Sequence, residues 1–421
     1  MDGRKDYRYG SEDDEQERGD DVAQCLQDTF FHTCKSITMI SQQRIFFDFL
    51  QFCIGSVAEI PASVKDADWK VLYDIAKKQA VVGVLFHGIK RLPKELAPDE
   101  DLLMTWMGMA QRIRQQNARL FMDSAKVCKN FQQEGFRCCI LKGQGNALLY
   151  PDPYMRTPGD IDIYLSGGRK RIMQYVNKVC PNQVMRYHHV DFPVMKTAIE
   201  VHFTPSYMFF PLHNRRMQKW FGKVMDLQCS NRVTLPDGYG EITVPTTSFN
   251  VIYILSHLYR HVFTEGIGLR QLLDYYFVLV KWHTDLTDSM DLNTSKSLPQ
   301  ITQMNTDLDA LRHEIKWLGL WKFARAVMFV LREVFGLSED KMIAPMDEKE
   351  GKFLLDEIMR GGNFGQYDTR LGSKEDEGKL HRYIRMNLRN LRFVRHYPTE
   401  ALSEPLFRTW FAVWKKTHGI R

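Results

Sequence analysis

The spacing of apolar residues changes twice along this chain, and that change constrains the fold more than any other feature. Up to about residue 135, large apolar residues recur three and four positions apart, as in Trp69–Leu92 and Asp101–Glu134, which is typical of amphipathic helices. Short apolar runs between glycine and proline turns then predict strands, and from Thr247 the helical spacing returns. We therefore predict an α+β protein in which helical regions flank a small mixed β-sheet.

The predicted strands all lie in the central part of the chain. Phe136–Leu141 is a short apolar run between two glycines, and Asp160–Leu165 follows a turn at Pro158-Gly159. The other central elements that we predict are strands at Val184–Val190 and Thr197–Phe203 around a turn near Asp191–Pro193, a hairpin of Arg232–Leu235 with Glu241–Val244, and helices at Asn146–Tyr150 and Arg169–Val179.

The C-terminal part of the chain reads as a series of helices. Two helices are predicted within Phe249–Trp282, with a break near Glu265–Gly268, and the polar stretch His283–Gln300 predicts a loop. Further helices are predicted at Ile315–Phe335, Lys349–Met359, Leu380–Val394 and Pro405–Trp414.

These patterns divide the chain of 421 residues into four regions. Residues 1–28 form a charged tail that has too few aliphatic residues to bury a core, so we predict that it is disordered. A helical region (29–135), an α/β core (136–246) and a second helical region (247–421) follow. This length is sufficient for two or three packed units.

Charge and cysteine content argue against several classes of protein. The net charge is +6, from 57 basic and 51 acidic residues. This charge is too small to indicate by itself that the protein binds nucleic acid. No apolar run reaches the roughly 20 residues that span a bilayer. The eight cysteines contain no CxxC pair, which argues against a zinc site or a disulfide framework. We expect a soluble cytoplasmic protein without a membrane partner.

An Asp-x-Asp pair on the second predicted strand is the first candidate for chemistry. Because side chains alternate along a strand, Asp160 and Asp162 point to one face while Ile161 points to the other. Two carboxylates this close repel each other unless a cation lies between them, and Mg²⁺ accepts carboxylate oxygens while leaving positions for substrate phosphates. The alternative is a strand edge with two solvated aspartates.

A later strand offers a third acid. Thr197–Phe203 places Glu200 and His202 on one face, and if this strand lies beside Asp160–Leu165, Glu200 completes an acidic site. Such an acid can bind a metal ion or take the proton of an attacking hydroxyl. Ordinary polar residues on the wet side of a surface strand are the alternative, and His202 either contacts substrate or has a plain hydrogen-bonding role.

The segment Lys142-Gly143-Gln144-Gly145 ends one strand and opens a helix. Glycines let a phosphate approach the backbone there, and free N–H groups at the start of a helix attract anions. Lys142 and Arg156 supply positive charge for a polyphosphate. A turn without any ligand remains the alternative.

These motifs together resemble a known superfamily. A glycine-rich turn, a helix, Asp-x-Asp on a strand and a third acid on a later strand are similar to the nucleotidyltransferases of the polymerase-beta type. More closely, LKGxxxxxxYPDPxxRxxGDIDIYL at 141–165, followed by IEVHF at 199–203, resembles a largely uncharacterised family of bacterial nucleotidyltransferases. The likeness extends to HLYRHVFTEGIGLRQLLDYYFVL at 257–279 and covers about residues 40 to 280.

The resemblance implies a minimal nucleotidyltransferase sheet and metal-dependent transfer of a nucleoside monophosphate from an NTP. Asp160 and Asp162 would hold Mg²⁺ (or Mn²⁺), Glu200 would complete the triad, and Gly143 with its neighbours would hold the triphosphate. The acceptor would be a hydroxyl of a small molecule, a sugar or a protein. The chain departs from the superfamily because Lys-Gly-Gln-Gly stands where Gly-Ser is usual.

Four further polar residues in the helical part are candidates for the pocket or the acceptor. His257 and His261 lie four apart on one helix face, where they could bind metal, pack or contact substrate. Arg270 and Asp274 have the same spacing, which suits either an ion pair within the helix or a contact with substrate. A non-catalytic nucleotide-binding or protein-interaction module, and an enzyme that extends a nucleic acid, are the rival functions.

Overall fold

The structure is a computed structural model that describes residues 41–291, 308–370 and 378–418, and the predicted tail 1–28 lies outside these residues. Its helices, numbered in chain order, are α1 (41–54), α2 (Trp69–Gln79), α3 (Val82–Ile89), α4 (Glu100–Gln133), α5 (Gln144–Ala147), α6 (Gly168–Val179), α7 (Pro211–Gln228), α8 (Thr247–Thr264), α9 (Leu269–Asp291), α10 (Leu308–Trp317), α11 (Trp321–Phe335), α12 (Glu348–Gly361), α13 (Lys379–Val394) and α14 (Pro398–Thr417). The strands are β1 (Cys138–Ile140), β2 (Ile161–Leu165), β3 (His189–Asp191), β4 (Ile199–His202), β5 (Arg232–Thr234) and β6 (Glu241–Thr243).

The central strands form a mixed sheet with the order β1-β2-β4-β3. Strand β2 pairs antiparallel with β1 and parallel with β4, and β3 pairs antiparallel with β4. Strands β5 and β6 form a separate antiparallel hairpin, as the sequence predicts. The prediction of an α+β fold with a small mixed sheet between helices is confirmed.

The apolar face of the mixed sheet packs on the long helix α4. Ile161, Ile163 and Val201 are fully or almost fully buried, and they share a cluster with Phe121 and Phe131 of α4. Because side chains alternate along β2, burying these isoleucines directs Asp162 to the opposite face. The alternation therefore fixes which face of the sheet carries the acids.

A second apolar cluster joins helices from both ends of the chain. Phe46 of α1 and Leu85 of α3 belong to the same buried cluster as Leu255 of α8, Leu272 of α9 and Val330 of α11. Helix α8 has buried residues on all sides, which explains why its sequence is apolar over most of its length. Its polar residues His257 and Arg260 are buried as well.

Two predictions in the central region are wrong. Val184–Val190 does not form one strand, because Met185 bridges back to Val190 and the Arg186 N–H donates to His189 O at 2.8 Å, so the chain turns within this segment. Strand β3 consequently lies later, and Asp191, predicted in a turn, belongs to it. Helix α7 was not predicted, although Pro211 at its first position and buried Met217 and Phe221 are helical signals.

Two predictions in the C-terminal region also need correction. Residues 283–291, predicted as loop, continue α9, where Thr284 and Thr287 donate hydrogen bonds to carbonyls four residues earlier; the rest of His283–Gln300 lies outside the described residues. Ile315–Phe335 is not one helix but α10 and α11, separated at Gly319. Gly319 has φ of 79°, and a Cβ there would lie 2.4 Å from the His213 ring.

None of the helices in the described part of the chain combines the length and the hydropathy of a membrane span.

Candidate active site

The parallel pairing of β2 with β4 brings the predicted acids together. Asp162 is the register partner of Glu200, and Tyr164 is the partner of His202. Residues that face each other on neighbouring strands have closely spaced side chains. The sheet therefore places Glu200 beside Asp162, as the sequence pattern requires for a shared site.

Asp162 is buried and both of its carboxylate oxygens have partners. Nε2 of His202 lies 2.9 Å from Oδ1, and Nζ of Lys142 lies 3.0 Å from Oδ2. Burial alone would raise the pKa of Asp162, but Lys142 and His202 outweigh burial and hold this pKa well below its usual range. Asp162 is thus a buried carboxylate that stays ionised.

Asp160 immediately precedes β2 and lines the same cavity as Asp162 and Glu200. Among the described residues, no cation forms a salt bridge with its carboxylate. The negative charge of Asp162, followed by burial, raises the pKa of Asp160 to about 6. Within the described part of the chain, Asp162 and Glu200 have compensating ion pairs and Asp160 does not.

Glu200 lies between two histidines. Its Oε2 is 3.1 Å from Nδ1 of His189 and 3.6 Å from Nε2 of His202. Burial favours a raised pKa for Glu200, but the contact with His202 outweighs it and lowers the pKa. For His202, burial alone would lower the pKa, and the hydrogen bonds with Asp162 and Glu200 raise it instead.

A cavity of about 660 Å³ opens over this face of the sheet. Eight of the residues predicted from the sequence line it: Lys142, Gly143, Arg156, Asp160, Asp162, Glu200, His261 and Arg270. The other five, Gln144, Gly145, His202, His257 and Asp274, are not among its lining residues. His202 and His257 nevertheless contact residues that line it, namely Asp162 and Lys142.

The glycine-rich turn reaches the cavity only at its first glycine. Gly143 lines the cavity with φ of 63°, a conformation that favours glycine. A Cβ at Gly145 would lie 2.9 Å from Cγ1 of Val244, so this glycine permits close packing against the chain that follows β6. The Gln144 side chain is buried, and its amide has no hydrogen-bond partner in the described structure.

Arg156 is paired with Asp274 rather than left free for a phosphate. The guanidinium donates two hydrogen bonds of 2.8 Å to the carboxylate, which also accepts a hydrogen bond of 2.7 Å from the Tyr150 hydroxyl. The predicted alternative of an Arg270–Asp274 ion pair is wrong, because no such pair exists in the described residues. Arg270 instead lines the cavity and donates to Pro158 O at 3.3 Å.

Comparison with known proteins identifies the family. Residues 65–336, more than half of the chain, match the uncharacterised nucleotidyltransferase family. The chain is a member of that family. This confirms the resemblance found in the sequence. No curated protein matches the chain.

In this family member, the structure brings several residues to the site that the sequence motifs do not predict. Helix α8 contributes Arg260, strand β3 contributes His189, and the residue before that strand contributes His188. The far wall comes from α13 and α14, with Arg382, Met386, Glu404, Phe407, Arg408 and Phe411. The run Arg186-Tyr187-His188-His189 is a local signal for the first group, whereas nothing in the sequence pattern links α13 and α14 to the acids.

The donor atoms present fit a divalent metal ion. Atoms of Asp162, Glu200 and His202 lie within 4.8 Å of one another, as do atoms of His189, Asp191 and Glu200. Carboxylate oxygens suit Mg²⁺ and Mn²⁺, and an imidazole nitrogen beside them suits Mn²⁺ better than Mg²⁺. The pairing of Asp162 with Lys142 opposes this fit, because a metal at Oδ2 competes with the ammonium.

Proposed function

We propose that this nucleotidyltransferase family member moves a nucleoside monophosphate from an NTP to a hydroxyl acceptor with release of pyrophosphate. The observation that carries the proposal is the register of β2 and β4, which sets Asp162 opposite Glu200 in a cavity that Asp160 also lines. Asp160, Asp162 and Glu200 line a cavity that several cationic side chains also line, and these charges match those that a metal-bound polyphosphate presents.

Asp160, Asp162 and Glu200 are the residues that would hold the metal, Mg²⁺ or Mn²⁺. When bound, the ion would supply positive charge at the phosphate oxygens as negative charge develops there. Asp160 lacks an ion pair among the described residues, and Glu200 is partly exposed, so both carboxylates are accessible from the cavity.

The transfer itself requires one bond to form and one to break. The acceptor oxygen forms a bond to the α-phosphorus of the NTP, and the bond from that phosphorus to the bridging oxygen breaks, which releases pyrophosphate. Glu200 accepts the proton of the acceptor hydroxyl, and His202, 3.6 Å from Glu200, stabilises the charged carboxylate before transfer. Lys142 and Arg270 contribute positive charge near the phosphates.

The test of this function is pyrophosphate release by the full chain with Mg²⁺ or Mn²⁺ and each of the four NTPs. The acceptor panel includes small hydroxyl compounds, sugars and proteins, the chain itself among the proteins. We expect release that depends on metal and falls at least a hundredfold in Asp160→Ala. Asp74→Ala, at an exposed position of α2, is the matched control. Equal release by wild type and Asp160→Ala would refute the catalytic role.

A nucleotide-binding module without transfer is the second candidate. It is favoured by one observation, that Lys142 and His202 already satisfy both oxygens of Asp162 without a metal ion. This candidate requires an NTP to bind with a dissociation constant that does not change when metal is removed by EDTA. Binding that depends on metal would instead favour the transferase.

A further inference from the structure

Helix α8 places a buried arginine on the wall of the cavity. Arg260 is 8% exposed and lines the cavity with the acids. None of the described carboxylates forms a salt bridge with its guanidinium. Arginine is protonated at any physiological pH, so its charge stays on the cavity wall. A buried charge without a counter-ion is unfavourable, which makes this arginine unusual.

The partners of Arg260 do not neutralise it. Its Nη1 donates to Nε2 of His188 at 2.9 Å, and its Nη2 donates to Nε2 of His261 at 3.0 Å. A ring nitrogen that accepts a hydrogen bond carries no proton, so both imidazoles are neutral. Burial, followed by the charge of Arg260, lowers the pKa of His261 to about 4, in agreement with this geometry.

The remaining surroundings of Arg260 also leave its charge uncompensated. Its guanidinium lies 5.2 Å from the centre of the Tyr207 ring, and its Nε is buried without a hydrogen-bond partner. Glu265 lies nearby, but its Oε2 is 3.4 Å from Nδ1 of His261 and its side chain is 59% exposed. The site thus offers a fixed guanidinium whose charge is not compensated by a carboxylate of the described residues, and such a group on a cavity wall suits an oxyanion.

We propose that Arg260 forms an oxyanion subsite that holds a carboxylate or phosphate group of the acceptor. This assignment to a substrate rests on the proposed transferase function. The acceptor is then an anionic hydroxyl compound, since the same molecule presents the attacking hydroxyl to Glu200.

The order of the strands separates the residues at β3 from the Gly143 turn. In the sheet order β1-β2-β4-β3, the acids of β2 and β4 lie between the Gly143 turn, which follows β1, and the histidines at β3. Arg260 bonds to His188, next to β3, whereas the triphosphate is assigned to the Gly143 turn. Nη2 of Arg260 also lies 3.4 Å from Nδ1 of His257, whose Nε2 is 3.1 Å from Nζ of Lys142. Phosphate binding in the presence of a bound NTP therefore decides between the acceptor and the nucleotide as the source of the anion.

Aromatic side chains beside Arg260 line the part of the cavity that would contact the rest of the acceptor. The Tyr207 and Phe407 rings stack at 5.1 Å, the Tyr187 ring lies 4.8 Å from Tyr207, and all three residues line the cavity. Such a wall suits a flat or apolar body attached to the anionic group.

A metal site at the neighbouring histidines is the alternative to an anion site in this region. Atoms of His188, His189 and His202 lie within 4.8 Å of one another, which suits a transition metal. However, Nε2 of His188 already accepts a hydrogen bond from Arg260, and a guanidinium at this distance repels a cation. The uncompensated charge in this part of the cavity is positive, so it favours an anion.

The experiment is a calorimetric titration of the full chain with inorganic phosphate, in EDTA, without nucleotide and at constant ionic strength. Metal and nucleotide are absent, so a failure here is distinct from a failure of the transferase proposal. We expect saturable binding to wild type that weakens at least tenfold in Arg260→Gln. Arg232→Gln, which removes the same charge from the exposed strand β5, should bind phosphate like wild type.

Two further variants of the titration keep the outcome decisive. If Arg260→Gln does not fold, Arg260→Lys keeps the charge but not the planar donors, and it should bind phosphate at least threefold more weakly. Phosphate binding should persist when Mg²⁺ and a saturating non-hydrolysable NTP replace EDTA; its loss would overturn the assignment to the acceptor. No saturable binding to wild type, or equal affinity of the Arg260 and Arg232 variants, would overturn the subsite itself.

Discussion

Asp162 lies directly opposite Glu200 across the parallel pairing of β2 and β4, and His202 contacts both carboxylates. Two ionised acids this close repel each other, and in the absence of a metal ion Lys142 and His202 offset that repulsion at Asp162. The sheet therefore holds the acids in position before any ligand arrives. A site that is already assembled loses less entropy when it binds a cation.

Lys142 provides a test of competition at this site. Its Nζ lies 3.0 Å from Oδ2 of Asp162, where a metal ion would also bind. Lys142→Met removes the competing charge, so we expect Mn²⁺ affinity in the absence of nucleotide to rise by about tenfold, or about 1.4 kcal/mol. NTP affinity should fall, because positive charge near the phosphates is lost.

The measurement is a Mn²⁺ titration followed by electron paramagnetic resonance. Lys223→Met, at an exposed position of α7, is the matched control and should leave both affinities unchanged. Unchanged or weaker Mn²⁺ binding in Lys142→Met would show that the ammonium does not compete with the metal.

The Arg156–Asp274 pair gives a prediction about stability. Asp274→Asn leaves the Arg156 guanidinium buried without a counter-ion and weakens the bond from Tyr150. Breaking one partner of a buried ion pair costs about 3–5 kcal/mol. Denaturant unfolding at pH 7 should show this loss relative to wild type, whereas Asp74→Asn at an exposed position should change the free energy of unfolding by less than about 0.5 kcal/mol.

The same pair predicts a dependence on pH. Burial alone would raise the pKa of Asp274, but Arg156 outweighs burial and lowers it below the ordinary value of 3.8. As the pH falls, Asp274 therefore takes up its proton at a higher pH in the unfolded chain than in the folded protein. The stabilisation by the ion pair is fully present above the pKa of the unfolded state and is lost as the pH falls through the pKa of the folded state. The difference in unfolding free energy between wild type and Asp274→Asn should shrink as the pH falls from 7 towards 3. A constant difference would contradict the ion pair.

Gly145 tests whether the second glycine of the turn serves packing or ligand binding. A Cβ at this position would lie 2.9 Å from Val244, so Gly145→Ala should lower the free energy of unfolding by about 1–3 kcal/mol. Gly108→Ala is the control, since a Cβ there meets no atom within 4 Å and alanine favours the helix. Thermal unfolding of both variants gives the answer. If Gly145→Ala weakens NTP binding while stability stays unchanged, the packing role is wrong.

The local patterns of the sequence were sufficient to predict the acidic strands. In Asp160–Leu165 and Thr197–Phe203, alternation of apolar and polar residues fixes which side chains face the core, and the register of β2 with β4 agrees with it. Periodicity is a local property, so it identified these strands without tertiary information. The same reasoning applied to α7 would have found that helix, because Met217, Phe221 and Val224 have helical spacing.

The opposite wall of the cavity could not be predicted in this way. Phe407 and Arg408 of α14 lie more than two hundred residues from Asp162 in the sequence, and their place beside it depends on tertiary packing. Glu400 fixes that packing, since its carboxylate accepts hydrogen bonds from the N–H groups of Phe209 and Phe210. Likewise, the spacing of Arg270 and Asp274 suggested a pair within one helix, but Arg156 from a distant segment binds Asp274 with two hydrogen bonds.

The most direct test of the central claim is Mn²⁺ binding to wild type and Glu200→Gln in the presence of a non-hydrolysable NTP, with Glu241→Gln on the exposed strand β6 as the control. If the three acids hold the metal, Glu200→Gln should weaken Mn²⁺ binding at least tenfold, or by about 1.4 kcal/mol, and Glu241→Gln should bind like wild type. Equal Mn²⁺ affinity in all three proteins would contradict the account.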